Sequence, residues 1–174
     1  MDKNSSSTIS QNFLGIYIDN KLNWSEHIKQ TLIKLNRNIG IMYNVRNSLT
    51  KNTKLLLYYS MIHCHLHYGN IIWGSAYASS LRPVITAQKK AVRIISGIPF
   101  REHTNPYFKS LKILKFNDIN YLSVSKFVHK QLQLINPLIP FVAANTVHNH
   151  NTRNRIRPRP PRPRSNLSKA FIRY

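Results

Sequence analysis

Acidic side chains are scarce in this 174-residue chain: Asp2, Asp19, Glu26, Glu102 and Asp118 stand against 26 Lys and Arg. Two-metal phosphoryl transfer needs several carboxylates converging on the cations. Here the acids are scattered singly, with no Asp-Asp pair, and Asp19 at a strand end has no companion. No catalytic residue is assigned. Cysteine is limited to Cys64, which excludes an internal disulfide framework and suits a reducing compartment. Five glycines leave no Gly-rich phosphate loop. The densest apolar run, Leu55 to Ile62, is less than half of a membrane span, and the polar start carries no secretory signal. The chain therefore reads as intracellular, with no membrane partner.

What remains in abundance is positive charge. A net charge of +21 destabilises a compact state by self-repulsion unless a polyanion offsets it. RNA or DNA is the leading partner. Hydrophobic residues at 42% are enough for one packed domain.

The fold expected is mainly α: a short N-terminal strand, a bundle of four or five helices, and a disordered basic C-terminal arm. Residues 1–11 read as a disordered leader, 12–140 as the strand and helical domain, and 141–174 as an extended Arg/Pro-rich tail. Phe13 to Ile18 is β-rich and Asp19-Asn20 can turn it. One strand exposes unpaired backbone, so it needs a neighbour that this sequence barely supplies. From Ser25 the apolar period becomes helical through Ile28, Leu32, Leu35, Ile39 and Met42, with Asn23 or Ser25 as the cap. A second helix starts near Thr50 and reaches about Leu66, with Leu55, Leu56, Tyr58, Tyr59, Ile62 and Leu66 over a wide buried arc. A third has Pro83 near its first turn and Gly97 past its end. Asn105-Pro106 opens a short helix, and Asn117 can cap a last long one that Asn136-Pro137 ends.

His63, Cys64, His65 and His67 invite a metal reading. His63 and His67, four apart, share a helix face, but further ligands and the Glu of an HExxH motif are missing. Histidines packed among tyrosines is the preferred reading, and no metal is expected here or at His148 and His150. Cys64 lacks a second motif that would make it a nucleophile.

Binding residues stand out better. Lys29, Lys34, Arg37 and Arg46 lie off the apolar stripe of the first helix, and Lys29 and Arg37 are the binding candidates among them. Lys89, Lys90 and Arg93 form a cationic face on the third, suited to phosphate backbones. The tail RNRIRPRPPRPR contributes Arg153, Arg155, Arg157, Arg159, Arg162 and Arg164 among four prolines. It reads as an extended, non-specific cationic arm, or equally as a nuclear-import address.

Five segments in order carry a further signal. FLGIYIDNKLNWSEHI (Phe13 to Ile28) resembles the YLGxxxDxxLxWxxHI signature of non-LTR retrotransposon reverse transcriptases, jockey-like elements especially. LLYYSMIHCHLHYGNIIWG (Leu56 to Gly74) resembles LYxSxIxxxLxYGxxxWG, and QKKAVRIISG (Gln88 to Gly97) resembles QxKAxRIIxG. HTNPYFKSLKILKFNDI (His103 to Ile119) resembles HTxPLFxxLxILxxxDI, and HNHNTR (His148 to Arg153) resembles the HxxxTR close. The match spans about residues 13–155. Tyr107 stands where the family usually has Leu, and the Pro/Arg tail lies outside the pattern.

The resemblance implies that the chain opens at the palm–thumb junction of a longer RNA-directed DNA polymerase. The strand's sheet and the YxDD carboxylates would then lie upstream. It further implies a thumb-like domain over 12–140 and a fragment that binds RNA or primer–template without synthesising DNA. The palm domain is an implied partner, and Mg2+ is expected only there, with no cofactor bound by this chain. Trp24 and His27 are expected to set the strand-to-helix corner. The alternative is a domesticated basic nucleic-acid-binding protein, such as a ribonucleoprotein component.

Overall fold

The structure, a computed structural model, describes residues 10–133. The chain divides into two units, residues 1–120 and 121–174. The expected leader and Arg/Pro arm lie outside the described residues, except Ser10 and Gln11.

Those two residues belong to a strand, which corrects the expectation of a single unpartnered one. Strand β1 (Ser10–Phe13) pairs antiparallel with β2 (Ile16–Asp19), in the register Ser10↔Asp19 to Phe13↔Ile16. Leu14 and Gly15 join them with φ of 49° and 80°, the paired positive values of a tight two-residue hairpin turn. The Gly15 amide donates to Asn12 Oδ1 at 2.9 Å, which fixes the turn from the strand side. Asp19 closes the second turn: its carbonyl accepts from Leu22 N at 3.1 Å and its Oδ1 accepts from Asn23 N at 2.8 Å.

Helix α1 (Ser25–Asn44) buries Ile28, Leu35, Ile39 and Met42, the expected stripe. Its start differs from expectation. Neither Asn23 nor Ser25 caps it; Trp24, with φ of 60° and 7% exposed, occupies the position with no side-chain cap bond. The indole is a core anchor, and its burial offsets a left-handed backbone that few side chains adopt.

Thr50 caps α2 (Lys51–Leu57), accepting from Thr53 N at 3.3 Å. The rod continues through a π-helical stretch, Tyr58–His63, into α3 (Cys64–His67). Along this rod Tyr58, Ile62 and Leu66 are fully buried, while Leu56 and Tyr59, expected inside, are exposed. From α1, Asn38 Nδ2 donates to Met61 O at 2.7 Å, holding this stretch. One turn, α4 (Asn70–Trp73), follows. A Cβ on Gly74 would sit 2.3 Å from Asn120 Nδ2 and 2.5 Å from Asn70 O, so only glycine fits beside that buried Asn pair.

Helix α5 (Ala78–Ser96) packs along α1, with Val84, Ala87, Ala91, Val92 and Ile95 inside. Small Ala87 and Ala91 allow close approach of the two backbones. Gly97 ends the helix with φ of 68°, as expected, but Pro83 lies inside the helix, beyond its first turn. Helix α6 (Asn105–Ser110) opens at Asn105-Pro106 as expected. Helix α7 (Phe116–Leu132) starts one residue before its expected cap, Asn117. Among the described residues, counting the α2–π–α3 rod as one body gives five helices plus the single turn α4, so the mainly α class holds.

One polar node ties the core of the first unit together. Gln88, on α5, donates through Nε2 to the Tyr58 hydroxyl (2.9 Å) and to Leu114 O (2.8 Å), and its Oε1 accepts from Phe116 N at 2.8 Å. Burial pushes the Tyr58 phenol up to about 12, with the Tyr59 neighbour adding to the rise and the Gln88 bond opposing it. The node carries no formal charge at neutral pH, so its burial costs little once every partner is satisfied.

Candidate nucleic-acid interface

The β-hairpin meets α1 at the expected corner. Tyr17 N lies 3.5 Å from His27 Nδ1, the acceptor, and the His27 ring stands edge-on to Trp73 with centroids 5.3 Å apart. Burial, then the Lys34 ammonium, holds the His27 pKa below its ordinary 6.5. The neutral ring is therefore the one that fits, with Nδ1 free to accept.

Cations gather elsewhere. Arg82, Thr86, Lys90 and Arg93 recur at three to four residues and share one face of α5. Over the helix rise Arg82 and Arg93 are separated by about 16 Å. Two adjoining cavities, of about 350 and 700 Å3, follow this face along the α1–α5 seam and share Asn36 and Lys90. The smaller reaches Arg82; the larger adds Arg46, Lys54 and Arg93 around a floor that includes Ile39, Gly40 and Ile94. No carboxylate lines either cavity.

Two walls of the larger groove pair a guanidinium with an aromatic ring. Arg46 Cζ stands 3.6 Å from the Tyr43 ring centroid, and its Nη1 donates to Tyr43 O at 2.7 Å. Arg93 Cζ lies 5.3 Å from the Phe100 centroid, and its Nη2 donates to Glu102 O at 3.2 Å. The Glu102 carboxylate instead accepts from the Tyr107 hydroxyl, raising that phenol's pKa. Arg93 Nε is buried without a partner. Among the described residues the ion pair is Lys29–Glu26, at 3.9 Å, so the groove cations keep their charge uncompensated.

The sequence-predicted residues thus separate. Lys90 and Arg93 come together in the groove. Lys89 is half-buried and lines neither cavity, Arg37 is exposed beside the lining residue Asn36, and Lys29 sits against Glu26. Arg153, Arg155, Arg157, Arg159, Arg162 and Arg164 lie outside the described residues. Sequence reasoning missed Lys54, Tyr43 and Phe100 and singled out Arg46 only as a cation off the stripe. Tyr43 and Arg46 are spaced three apart at the end of α1, and Phe100 follows the Gly97 stop, but only tertiary packing brings them together.

Of the histidine cluster, His63 packs among tyrosines as expected. His63 stacks on Tyr58 and stands edge-on to Tyr59 and His67, with centroids 5.4 to 6.2 Å away. Burial first, then His67, lowers the His63 pKa. No group of three or more His, Cys, Asp or Glu side chains that could hold a metal ion gathers among the described residues. No described helix is long and apolar enough to cross a membrane.

Known proteins give the interface a context. The chain is 29% identical over 147 residues, 83% of its length, to the RNA-directed DNA polymerase from mobile element jockey of Drosophila melanogaster. It is 27% identical over 112 residues to the probable RNA-directed DNA polymerase from transposon X-element of the same fly, and 28% identical over 130 residues to the jockey polymerase of Drosophila funebris. These matches cover 62% and 73% of this chain. The chain spans only 16%, 12% and 14% of the three relatives. No family model and no solved structure matches. Over most of its own length, the chain is similar to a small part of RNA-directed DNA polymerases from mobile elements.

Proposed function

We propose that this chain is the thumb-side part of a non-LTR retrotransposon reverse transcriptase and grips RNA or primer–template by its phosphate backbone. The observation that carries the proposal is the α1–α5 groove, where Arg46, Lys54, Lys90 and Arg93 face one channel with no acid among its lining residues. The relatives' names supply the polymerase context, and the +21 charge supplies long-range attraction. Polymerisation itself is assigned to a palm domain outside this chain, and so are the carboxylates that hold Mg2+. In this reading the Arg/Pro arm adds affinity with little specificity; a nuclear-import address is the alternative reading of the same residues.

The test is the salt dependence of binding to a primer–template duplex, measured by fluorescence anisotropy with the full chain. Log affinity falls linearly with log salt, and Lys90→Ala makes that slope shallower by about 0.9, one phosphate contact. Binding indifferent to salt, or a Lys90→Ala slope equal to that of the parent, refutes the proposal.

One observation favours the second reading, a domesticated basic ribonucleoprotein component. The strand finds a partner within the chain, because β1 pairs β2. A cooperative thermal transition of the chain alone supports that reading; aggregation without a transition supports dependence on a palm.

A further inference from the structure

Within that reading, we propose that the larger α1–α5 groove is a single-strand site: it takes one unpaired base between the Tyr43 and Phe100 walls and the flanking phosphates on the surrounding cations. Three observations lead there.

The first is size. A groove of about 700 Å3 falls within the roughly 300–1,000 Å3 range of sites that enclose small-molecule-sized groups. A nucleotide can enter such a space, whereas a duplex, whose bases are stacked inside, can only lie across its mouth. The second is chemistry. Backbone recognition needs cations alone, but here apolar Ile39 and Ile94 line the channel and both aromatic residues stand largely exposed, Phe100 at 71% and Tyr43 at 53%, each with a guanidinium over its ring. Exposed rings next to guanidinium groups form the stacking-plus-cation platform that single-stranded bases use, whatever their sequence. The third is the state of Arg93. Its Nε is buried and unpartnered, its Nη2 meets only a backbone carbonyl, and the neighbouring carboxylate of Glu102 is engaged by Tyr107. The guanidinium is held in place with its charge available to a phosphate.

The occupant comes from outside the chain. The five acids are dispersed along the sequence, and the segments beyond the described residues add only Asp2 to the negative side. A polyanion with an exposed aromatic face meets both halves of the groove's chemistry.

The experiment compares three fluorescent probes at one fixed salt concentration, using the full chain: a single-stranded RNA 12-mer, the same strand with abasic sites, and a duplex of equal length. The single strand is expected to bind at least tenfold tighter than its abasic counterpart. Phe100→Ala is expected to weaken single-strand binding by about five- to a hundredfold, the range for losing one stacked base, and to leave duplex affinity within twofold. Phe100 is exposed at a turn, so its removal does not threaten folding; Tyr43→Ala provides an independent second loss. Equal affinity for the intact and abasic strands, or unchanged binding by both variants, overturns the single-strand site while salt-dependent duplex binding keeps the broader proposal standing. Absence of salt-dependent binding to all three probes overturns both.

Discussion

His27 shows how a single side chain links the start of the fold to pH. Its Nδ1 is the acceptor opposite Tyr17 N, its ring edges against Trp73, and it is 5% exposed. Burial holds its pKa below 6.5, and the same cause lowers His63 and His65. In all three the unfolded chain binds a proton more readily than the folded one. Their contribution is therefore intact above pH 6.5 and is lost as pH falls from there through the lowered folded values. The urea midpoint is expected to drop between pH 7.5 and pH 5.0. His27→Gln, which cannot charge, is expected to flatten part of that slope while lowering the midpoint at pH 7.5. A midpoint that does not move with pH over this window refutes the assignment of a neutral buried ring.

At the scale of elements, the hairpin turn is a local conflict that tertiary packing tolerates. Leu14 has φ of 49° and 75% exposure, so it bears left-handed strain without gaining burial. Asn tolerates this region, and Asn-Gly is the favoured pair for such turns. Leu14→Asn is expected to raise stability by about 0.5–1 kcal/mol, read as a higher denaturation midpoint at unchanged m-value; a lower midpoint would mean that Leu14 has a packing role. The same elements show what could be read from sequence. Helices α1 and α5 were legible because each buries one face at helical spacing and α5 stops at a glycine. Strand β1 was not, since SQNF has no apolar alternation and its pairing rests on backbone alone. The π turn was equally invisible, because nothing in YYSMIH departs from an α-helical pattern, and the wide arc expected to be buried proves narrower, with Leu56 and Tyr59 exposed. Half of the groove's charge, Lys90 and Arg93, was legible as a stripe on α5. Lys54 and Phe100 were not, because their meeting depends on how the rod and the post-Gly97 turn dock against α1 and α5.

At the scale of the whole molecule, one set of charges has two opposite responses to salt. The chain carries 26 cations against five acids, and the ion pair among the described residues is the partly exposed Lys29–Glu26 contact. Screening therefore removes far more repulsion than attraction. With a Debye length of about 10 Å at 0.1 M, most cation–cation terms across the molecule are weakened by ordinary salt. The melting temperature is expected to rise as sodium chloride goes from about 20 to 300 mM, before any general salting-out effect enters. The proposed binding to nucleic acid would run the other way, because every phosphate contact releases counterions whose return is favoured by salt. A short polyanion in excess should substitute for salt, raising the melting temperature at 20 mM and adding progressively less as the ionic strength increases. A melting temperature that falls with salt would mean that attractive pairs, rather than crowded cations, dominate the electrostatics. The groove's uncompensated charge would then need another explanation.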